Sequence, residues 1–531
     1  MPPNEAQIAV PMALPLSKVL GAAMPIVTPI VLFDALDHNA LIAEDEANAG
    51  AKVPLRVAVG RAANITPASG QWVAVAGKGN GDGRLWVIDI RSTGARGVRL
   101  HLSDMNLPAG GRITVYAPTD PSVVGEYSGK GEWGNGETYV LPVDGDTVRV
   151  EYYAPPDQAG DALPFTIDSL QHYYRDMRVL AGNGQNEVGG YGDRVGTCHN
   201  DVTCYPTWAN AAKAVGKMTF VSGGSSYLCT GSLLASTAAD FTPYFITANH
   251  CISTNAVANT LVCYWLYQTS TCNSGSPGSG PTSTGATLLH TNATGDMTLL
   301  MVEGTVPRTQ VFWLGWDAAT VANGTALTCI HHPAGDYKRI SFGTAQANTA
   351  DHIRCNWTSG VTEGGSSGSA LMITSTQRLI GDLTGGPSAC GAAPASLYDT
   401  YGYFNYNYNN DGAGHPLQAL LATGSDDAIE QNDSCAAAVT LPTSSYSGLV
   451  VKWTDEDWYR FTLAAGANLT IGSTYTQANG DVNFELYGSC GGAVVASSLG
   501  TSGTESINYT NSTDASQTVY LRAFLASDTR N

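Results

Sequence analysis

Apolar positions along this chain come in short runs that alternate with polar ones, and Gly, Asn, Ser, Thr or Pro bounds almost every run. Between Val53 and Pro156 the runs are Trp72–Ala76, Leu85–Ile90, Val98–Leu102, Ile113–Tyr116, Tyr139–Val143 and Val148–Tyr153. A period of two broken by turn residues marks half-buried strands, and this spacing predicts a small β-sandwich over residues 51–180. Residues 1–50 are rich in Ala and Pro without clear alternation, which predicts an extended leader. A Gly/Asn-rich connector at 181–194 reads as a flexible, cleavable linker. Residues 195–424 are again strand-rich and end in an apolar, helix-like stretch at Leu417–Leu421. Residues 425–531 open on the acidic turn Ser425–Asp433 and hold strand-like runs at Asp457–Leu463 and Asn483–Tyr487. They predict a second small β-sandwich that lacks an obvious closing strand and reads as truncated.

Composition supports an all-β reading. At 531 residues the chain exceeds one core, and its 60 glycines suit many short strands joined by turns. The formal charge of −19 excludes nucleic acid and anionic membrane as partners, since both call for basic patches. The apolar stretch Val19–Phe33 is interrupted by Pro25 and Pro29 and follows no basic cluster, so it reads neither as a signal peptide nor as a membrane span.

The eleven cysteines sharpen the picture. None precedes Cys198, nine lie from Cys198 to Cys390, and Cys435 and Cys490 lie in the tail. Without a Cys-x-x-Cys pair, the pattern indicates a disulfide-stapled middle domain in an oxidising compartment rather than a metal site. Secretion is inferred from these cysteines. The odd count leaves one thiol over, and Cys263, inside the apolar run Leu261–Leu266, is the candidate for a buried free one.

Three local motifs carry chemistry. In Tyr244-Phe245-Ile246-Thr247-Ala248-Asn249-His250-Cys251 an apolar strand delivers a His at its end, with Cys229 as the natural partner of Cys251. In Gly295-Asp296-Met297-Thr298-Leu299 a single Asp enters an apolar strand, which is costly unless its carboxylate is bonded. In Gly364-Gly365-Ser366-Ser367-Gly368-Ser369-Ala370 glycines flank a Ser, allowing a tight turn that exposes Oγ and lets amides converge on an oxyanion. Each motif alone also fits a structural His, a turn-capping Asp or a plain Gly/Ser loop. The order His, Asp, Ser beside three apolar strands in one Cys-rich region is the more specific signal. The adjacent pair His331-His332 points to opposite faces of a strand and reads as packing or hydrogen bonding, not chelation.

Residues Val195–Ala422 resemble the trypsin-like peptidases, and most closely the bacterial lysyl endopeptidases. The matching segments are Cys229-Thr230-Gly231-Ser232-Leu233, Thr247-Ala248-Asn249-His250-Cys251, Tyr264-Trp265, His331-His332-Pro333, Lys338-Arg339-Ile340-Ser341, Val361-Thr362-Glu363 and Gly385-Gly386-Pro387-Ser388. The resemblance implies a chymotrypsin-like double β-barrel, with His250 as general base, Asp296 as its orienter, Ser367 as nucleophile and the amides of Gly365 and Ser367 as oxyanion donors. It implies Asp399, in Leu397-Tyr398-Asp399-Thr400-Tyr401-Gly402, as the carboxylate that receives a substrate ammonium, and Trp357 as an aromatic along the substrate. The family has a His before its Gly-Gly-Pro where this chain has Thr384, followed by Gly385. Asp382 nearby is a second acidic candidate. The resemblance further implies the pairs Cys198–Cys390, Cys204–Cys272 and Cys229–Cys251, which leaves Cys329 and Cys355 on neighbouring strand-like segments and predicts that they pair.

The tail resembles the pre-peptidase C-terminal domains of secreted bacterial proteases, through Asn432-Asp433-Ser434-Cys435, Asp455-Glu456-Asp457-Trp458-Tyr459 and Asp481-Val482-Asn483-Phe484. Cys435 is expected to pair with Cys490 there.

The expectation is therefore an all-β, secreted serine endopeptidase that hydrolyses bonds after basic residues. It would be made as a proenzyme, act as a monomer on protein or peptide substrates, and need no cofactor or metal. The 51–180 domain would serve as its intramolecular inhibitor and folding aid. The rival readings are a two-barrel protease of different or broader specificity and a non-catalytic binding protein on the same fold.

Overall fold

The computed structural model describes residues 14–22, 24–48, 54–75, 83–158, 160–175, 196–237, 241–274, 280–410, 413–414, 417–421, 429, 432, 434–441, 445–449, 451, 456–475 and 481–525. The connector 181–194, with the bond Arg194–Val195, lies outside them. The chain divides into two compact units, Met1–Ala235 with Phe241–Asn407, and Ser236–Asp240 with Tyr408–Asn531.

The first unit opens on α1 (Leu16–Leu20), β1 (Ile30–Phe33) and α2 (His38–Ala47), which corrects the expectation of an extended leader. Asp37 starts α2 by accepting from the amides of Asn39 and Ala40, satisfying donors that a helix start leaves open. β1 adds in parallel to the sandwich strand opposite Asp89–Ser92.

The sandwich strands are β2 (Leu55–Ile65), β3 (Gln71–Ala74), β4 (Arg84–Ser92), β5 (Gly97–Ser103), β6 (Arg112–Ala117), β7 (Asp120–Ser128), β8 (Thr138–Tyr139), β9 (Val143–Asp144), β10 (Thr147–Ala154) and β11 (Thr166–Tyr173). One sheet runs β1-β4-β10-β6-β7 with β3 beside β4, and the other holds β2-β11-β5-β8 with β9 also on β5. Trp86, Ile88, Val115 and Val150 from the first meet Val98, Leu100, Leu102 and Leu170 from the second in one fully buried core. The predicted run Tyr139–Val143 is two short strands, because Leu141-Pro142 breaks it and Pro donates nothing to a ladder.

Two further groups of strands follow, the first continuous with the β2-β11-β5 sheet because β14 pairs with β2. After β12 (Asn200–Asp201) and α3 (Ala209–Ala214), the first comprises β13 (Val215–Ser222), β14 (Ser225–Leu233), β15 (Tyr244–Ala248), β16 (Val262–Tyr264), β17 (Thr282–Thr284), β18 (Ala286–Asn292) and β19 (Met297–Val302), with α4 (Asn255–Ala258) between β15 and β16. β13 to β19 pair in the order β18-β19-β15-β14-β13-β16-β17, around a core that includes Phe220, Phe245, Trp265 and Leu300. β12 instead joins the second group, β20 (Ala326–His331), β21 (Arg339–Ala345), β22 (His352–Ser359), β23 (Ala370–Ile373), β24 (Leu379–Gly385) and β25 (Tyr398–Tyr403). That group runs β21-β20-β23-β24-β25-β22 and closes on itself through β21 and β22, a six-stranded barrel that leaves no free edge. The unit ends within α5 (Phe404–Asn409).

Four disulfides form as expected: Cys198–Cys390, Cys204–Cys272, Cys229–Cys251 and, in the second unit, Cys435–Cys490. Cys263 is buried and free, also as expected, but so are Cys329 and Cys355, which corrects the pair predicted between them. Cys329 on β20 faces Ser341 and Cys355 on β22 faces Ala345, on opposite sides of β21. Strands two steps apart stand roughly 9.5 Å apart, beyond the roughly 7 Å between Cα atoms that a disulfide spans.

The second unit contains β26 (Ala413–Gly414), α6 (Leu417–Leu421) and β27 (Asp457–Leu463), β28 (Asn468–Thr474), β29 (Val482–Tyr487), β30 (Val494–Ser498), β31 (Thr504–Thr510) and β32 (Gln517–Leu525). The sheet β27-β32-β29-β30 packs with the pair β28-β31 around Tyr459, Phe484, Leu486, Ile507 and Val519, a small sandwich. β32 lies between β27 and β29, so the closing strand that the sequence did not reveal is present.

Candidate active site

His250 and Asp296 meet because two paired strands end together. Ala248 closes β15 opposite Met297, which opens β19. His250 lies two residues beyond one end and Asp296 one residue before the other. Asp296 Oδ2 lies 2.9 Å from His250 Nδ1, and Oδ1 accepts the His250 amide at 3.0 Å. Asp296 is 2 % exposed and takes a left-handed backbone, φ 48°, which costs a non-glycine residue on the order of 1 kcal/mol or more. Burial is the largest influence on its carboxyl and would raise it, but the His250 hydrogen bonds and charge outweigh that and hold it below the usual carboxylate value. The pair fixes the imidazole so that Nε2 faces away from the carboxylate.

Ser367 sits half-buried on the turn before β23. Thr230, on β14, donates its amide to the Ser367 carbonyl at 2.8 Å, and its hydroxyl donates to the Gly365 carbonyl at 2.9 Å. Gly368 has φ 79°, and a Cβ there would lie 2.8 Å from the amide nitrogen of Ala248, two residues before His250. Only glycine lets the Ser367 turn approach the strand that carries the imidazole this closely. Within the turn the amides of Ser366, Gly368 and Ser369 donate to Glu363, Leu383 and Ser366 carbonyls. Among the described residues those of Gly365 and Ser367 donate to none. Two unpaired amides on one tight turn that also carries a hydroxyl are the groups from which an oxyanion site is built.

His331, fully buried, bonds Ser366 Oγ at 2.8 Å and Ser341 Oγ at 3.1 Å. Its imidazole thus props the residue next to Ser367, and burial together with the neighbouring His199 holds it neutral. His332 bonds the Asp336 carbonyl at 2.9 Å. Both match the hydrogen-bonding role read from the sequence. The His/Cys groupings Cys198-His199-Cys390 and Cys229-His250-Cys251 each contain a disulfide, so their sulfurs are not thiolate ligands.

Asp399 lies on β25, 1 % exposed. Its Oδ2 accepts from Trp357 Nε1 at 2.5 Å, Thr362 Oγ1 at 2.6 Å and Ser388 Oγ at 2.5 Å. Burial raises this carboxyl more than the Ser388, Thr362 and Trp357 hydrogen bonds lower it. Oδ1 lies under Gly386, where a Cβ would come within 2.4 Å. Trp357 is 5 % exposed, stands edge-on to Tyr401 and donates to Asp399, so it forms one wall of the Asp399 site. Thr384 stands where the family has a His. It is 5 % exposed, and its hydroxyl lies beside Asp296, outside hydrogen-bond geometry, and not with Asp399. Gly385 follows it at φ 140°, with open space where a Cβ would stand. Asp382 shares the Thr384 face of β24 and is fully buried, with both oxygens unpaired. Burial, then the Asp296 charge, raises it far above the carboxylate range. It lies buried near Asp296 and not in the hydrogen-bond cluster around Asp399.

The sequence reading gave no role to Thr230, Thr362, Ser388 or Gly386. All four stand in segments whose match to the family was visible, which was the available signal.

Fold and geometry define the two-barrel class, with the His250–Asp296 pair on the first barrel and the Ser367 turn and Asp399 on the second. Two family models then match, the lysyl endopeptidase C-terminal domain over residues 192–402 and the lysyl endopeptidase N-terminal domain over residues 32–174. The chain belongs to the lysyl endopeptidase family. It is 35 % identical over 305 residues to a lysyl endopeptidase of Pseudomonas aeruginosa, covering 54 % of this chain and 64 % of that protein. Among solved structures it matches the Rv3671c protease of M. tuberculosis in its active form at 14 % identity and a TM-score of 0.30, over 46 % of this chain and 97 % of that one. It matches the protease Anisep of Arthrobacter nicotinovorans at 20 % identity and a TM-score of 0.28, over 39 % and 92 %. Scores this low add nothing to the architecture described above.

Proposed function

We propose that the chain is a secreted serine endopeptidase that cleaves after Lys, with Arg as a second candidate, and is made as a proenzyme. The observation that carries this reading is the His250–Asp296 pair, 2.9 Å apart, beside a Ser367 turn that presents two unpaired amides.

Ser367 Oγ attacks the scissile carbonyl while His250 Nε2 takes its proton, and Asp296 stabilises the imidazolium that forms. The negative oxygen is held by the amides of Gly365 and Ser367. His250 then returns the proton to the leaving amine, and water repeats the sequence to release the acid. Asp399 selects a cationic side chain by charge pairing in a site dry enough for that charge to count. Four disulfides support an oxidising compartment. A cut near Arg194–Val195 would suit the enzyme's own preference.

A fluorophosphonate probe with peptide mapping tests the reading: label is expected on Ser367, and labelling should fall at least about 100-fold in His250→Ala. Absence of label on Ser367 in processed enzyme would favour the non-catalytic alternative.

A further inference from the structure

The basic residues are placed unevenly with respect to the disulfides. Of the 26 Lys and Arg, 15 precede Cys198, where the chain has no cysteine, and 11 follow it. Seven of those 11, from Lys213 to Arg378, lie between Cys198 and Cys390, which are bonded to each other. Lys452 and Arg460 lie between Cys435 and Cys490, also bonded. From Leu379 to Val451 the chain has no Lys or Arg, and this stretch contains the whole passage from Cys390 to Cys435. Beyond Cys490 stand Arg522 and Arg530.

A peptidase that cuts after basic residues therefore meets two different substrates in one chain. Before Cys198 no bridge spans a cut. From Cys198 to Cys490 a single cut after any basic residue falls inside a closed loop, and the bridge keeps its two sides covalently joined. The fold guards several of these bonds as well. Lys217 is 2 % exposed and Lys338 fully buried, while Arg339, Arg354 and Arg460 pair within the ladders of β21, β22 and β27. A bond must leave its ladder before a peptidase can seat it, so nicking concentrates at loop tips. Arg308 and Arg378 are exposed outside strands, and Cys198–Cys390 spans both. Arg522 lies in β32 with its guanidinium held by Glu456 and Glu485.

We propose that self-processing cannot release the second unit, so that the self-matured enzyme keeps it, and that release is the work of a second peptidase, which cuts after a non-basic residue between Cys390 and Cys435. That step needs only water: one peptide bond breaks, leaving a carboxylate on one side and an ammonium on the other. The enzyme does not supply the step itself, because the carboxylate at Asp399 selects a cationic side chain and this stretch offers no Lys or Arg. The cysteine-free, Lys- and Arg-rich N-terminal part has neither safeguard.

The inference rests on the proposed specificity, and a Lys peptide assayed alongside separates the two. The purified full chain is left to process itself and followed by intact mass before and after reduction. Gly424→Lys, which puts one basic residue into the empty stretch, is treated in the same way. Ser367→Ala, which should stay whole, excludes a contaminating peptidase as the source of any cut. In the wild type the second unit should stay with the catalytic unit until reductant is added, and nicks after Arg308 or Arg378 should show only then. In Gly424→Lys a fragment that begins at Ser425 should separate without reductant. Release of the second unit from the wild type at a non-basic bond overturns the inference. So does retention in both chains once the N-terminal part is gone. In either case continued cleavage of the Lys peptide leaves the peptidase standing. No processing of either chain and no cleavage of the Lys peptide refute both.

Discussion

The Thr230 amide donates to the Ser367 carbonyl at 2.8 Å, tying the first barrel to the nucleophile turn of the second. The bond aligns the Ser367 turn with the sheet that carries the His250–Asp296 pair, and in the proposed reaction both would have to meet at one point. Gly368 makes the approach possible.

Gly368→Ala therefore tests the alignment. The new Cβ would lie 2.2 Å from Thr247 Oγ1 and 2.5 Å from the Thr230 carbonyl, at φ 79°. Backbone cannot yield to that overlap, so the turn must move, and a 1 Å displacement of a reacting group costs about 100-fold. Fluorophosphonate labelling of Ser367 should slow by at least that factor, while far-UV circular dichroism stays close to wild type.

Asp399 gives a pH dependence with a definite sign. Burial raises its carboxyl above the usual value, and only the ionised form pairs with an ammonium. As pH falls through that raised pKa, KM for a Lys substrate should climb while kcat for bound substrate holds. Asp399→Asn should show the high KM at all pH values, a loss of about 100-fold or more in kcat/KM for Lys. The measurement is KM against pH for both proteins.

Three buried thiols should resist reagent. Burial pushes the Cys329 thiol up to about 12 and raises those of Cys263 and Cys355, which disfavours the reactive thiolate. Native protein should give no colour with Ellman's reagent, and denatured, unreduced protein three thiols. A count of one would restore the Cys329–Cys355 bridge.

Lys338 should tilt stability with pH. It is fully buried, donates to the Ala212 carbonyl, and burial lowers its pKa from 10.5 to about 7. Between those values the unfolded chain holds the extra proton, so stability rises with pH, by up to about 1.4 kcal/mol per unit. Urea unfolding at pH 7 and pH 9 should show that slope in wild type and its loss in Lys338→Met.

Much of this was legible in the sequence because local patterns and order carried it. His250, Asp296 and Ser367 each adjoin an apolar strand, and paired strand ends bring His250 and Asp296 into contact. The pairing of Cys229 with Cys251 was readable because one strand end and its neighbour had to be joined. What escaped depends on register. Cys329 and Cys355 look adjacent along the chain of strands, yet β21 passes between them. That Trp357 bonds Asp399 while Thr384 lies beside Asp296 follows from which face of β22 or β24 each occupies, and that also depends on register. β2 was missed because its Arg56, Gly60, Arg61 and Asn64 blur the alternation, while its partners β11 and β14 lie more than a hundred residues away.

The central claim is tested most directly by matched peptides that differ only in the residue before the bond (Lys, Arg, Glu or Leu), given to processed enzyme and to Ser367→Ala. The account expects cleavage after Lys, with or without Arg, that disappears in the variant. Cleavage after Glu or Leu would remove Asp399 as the selecting group. Cleavage that survives in Ser367→Ala, or none by processed enzyme, would contradict the triad itself.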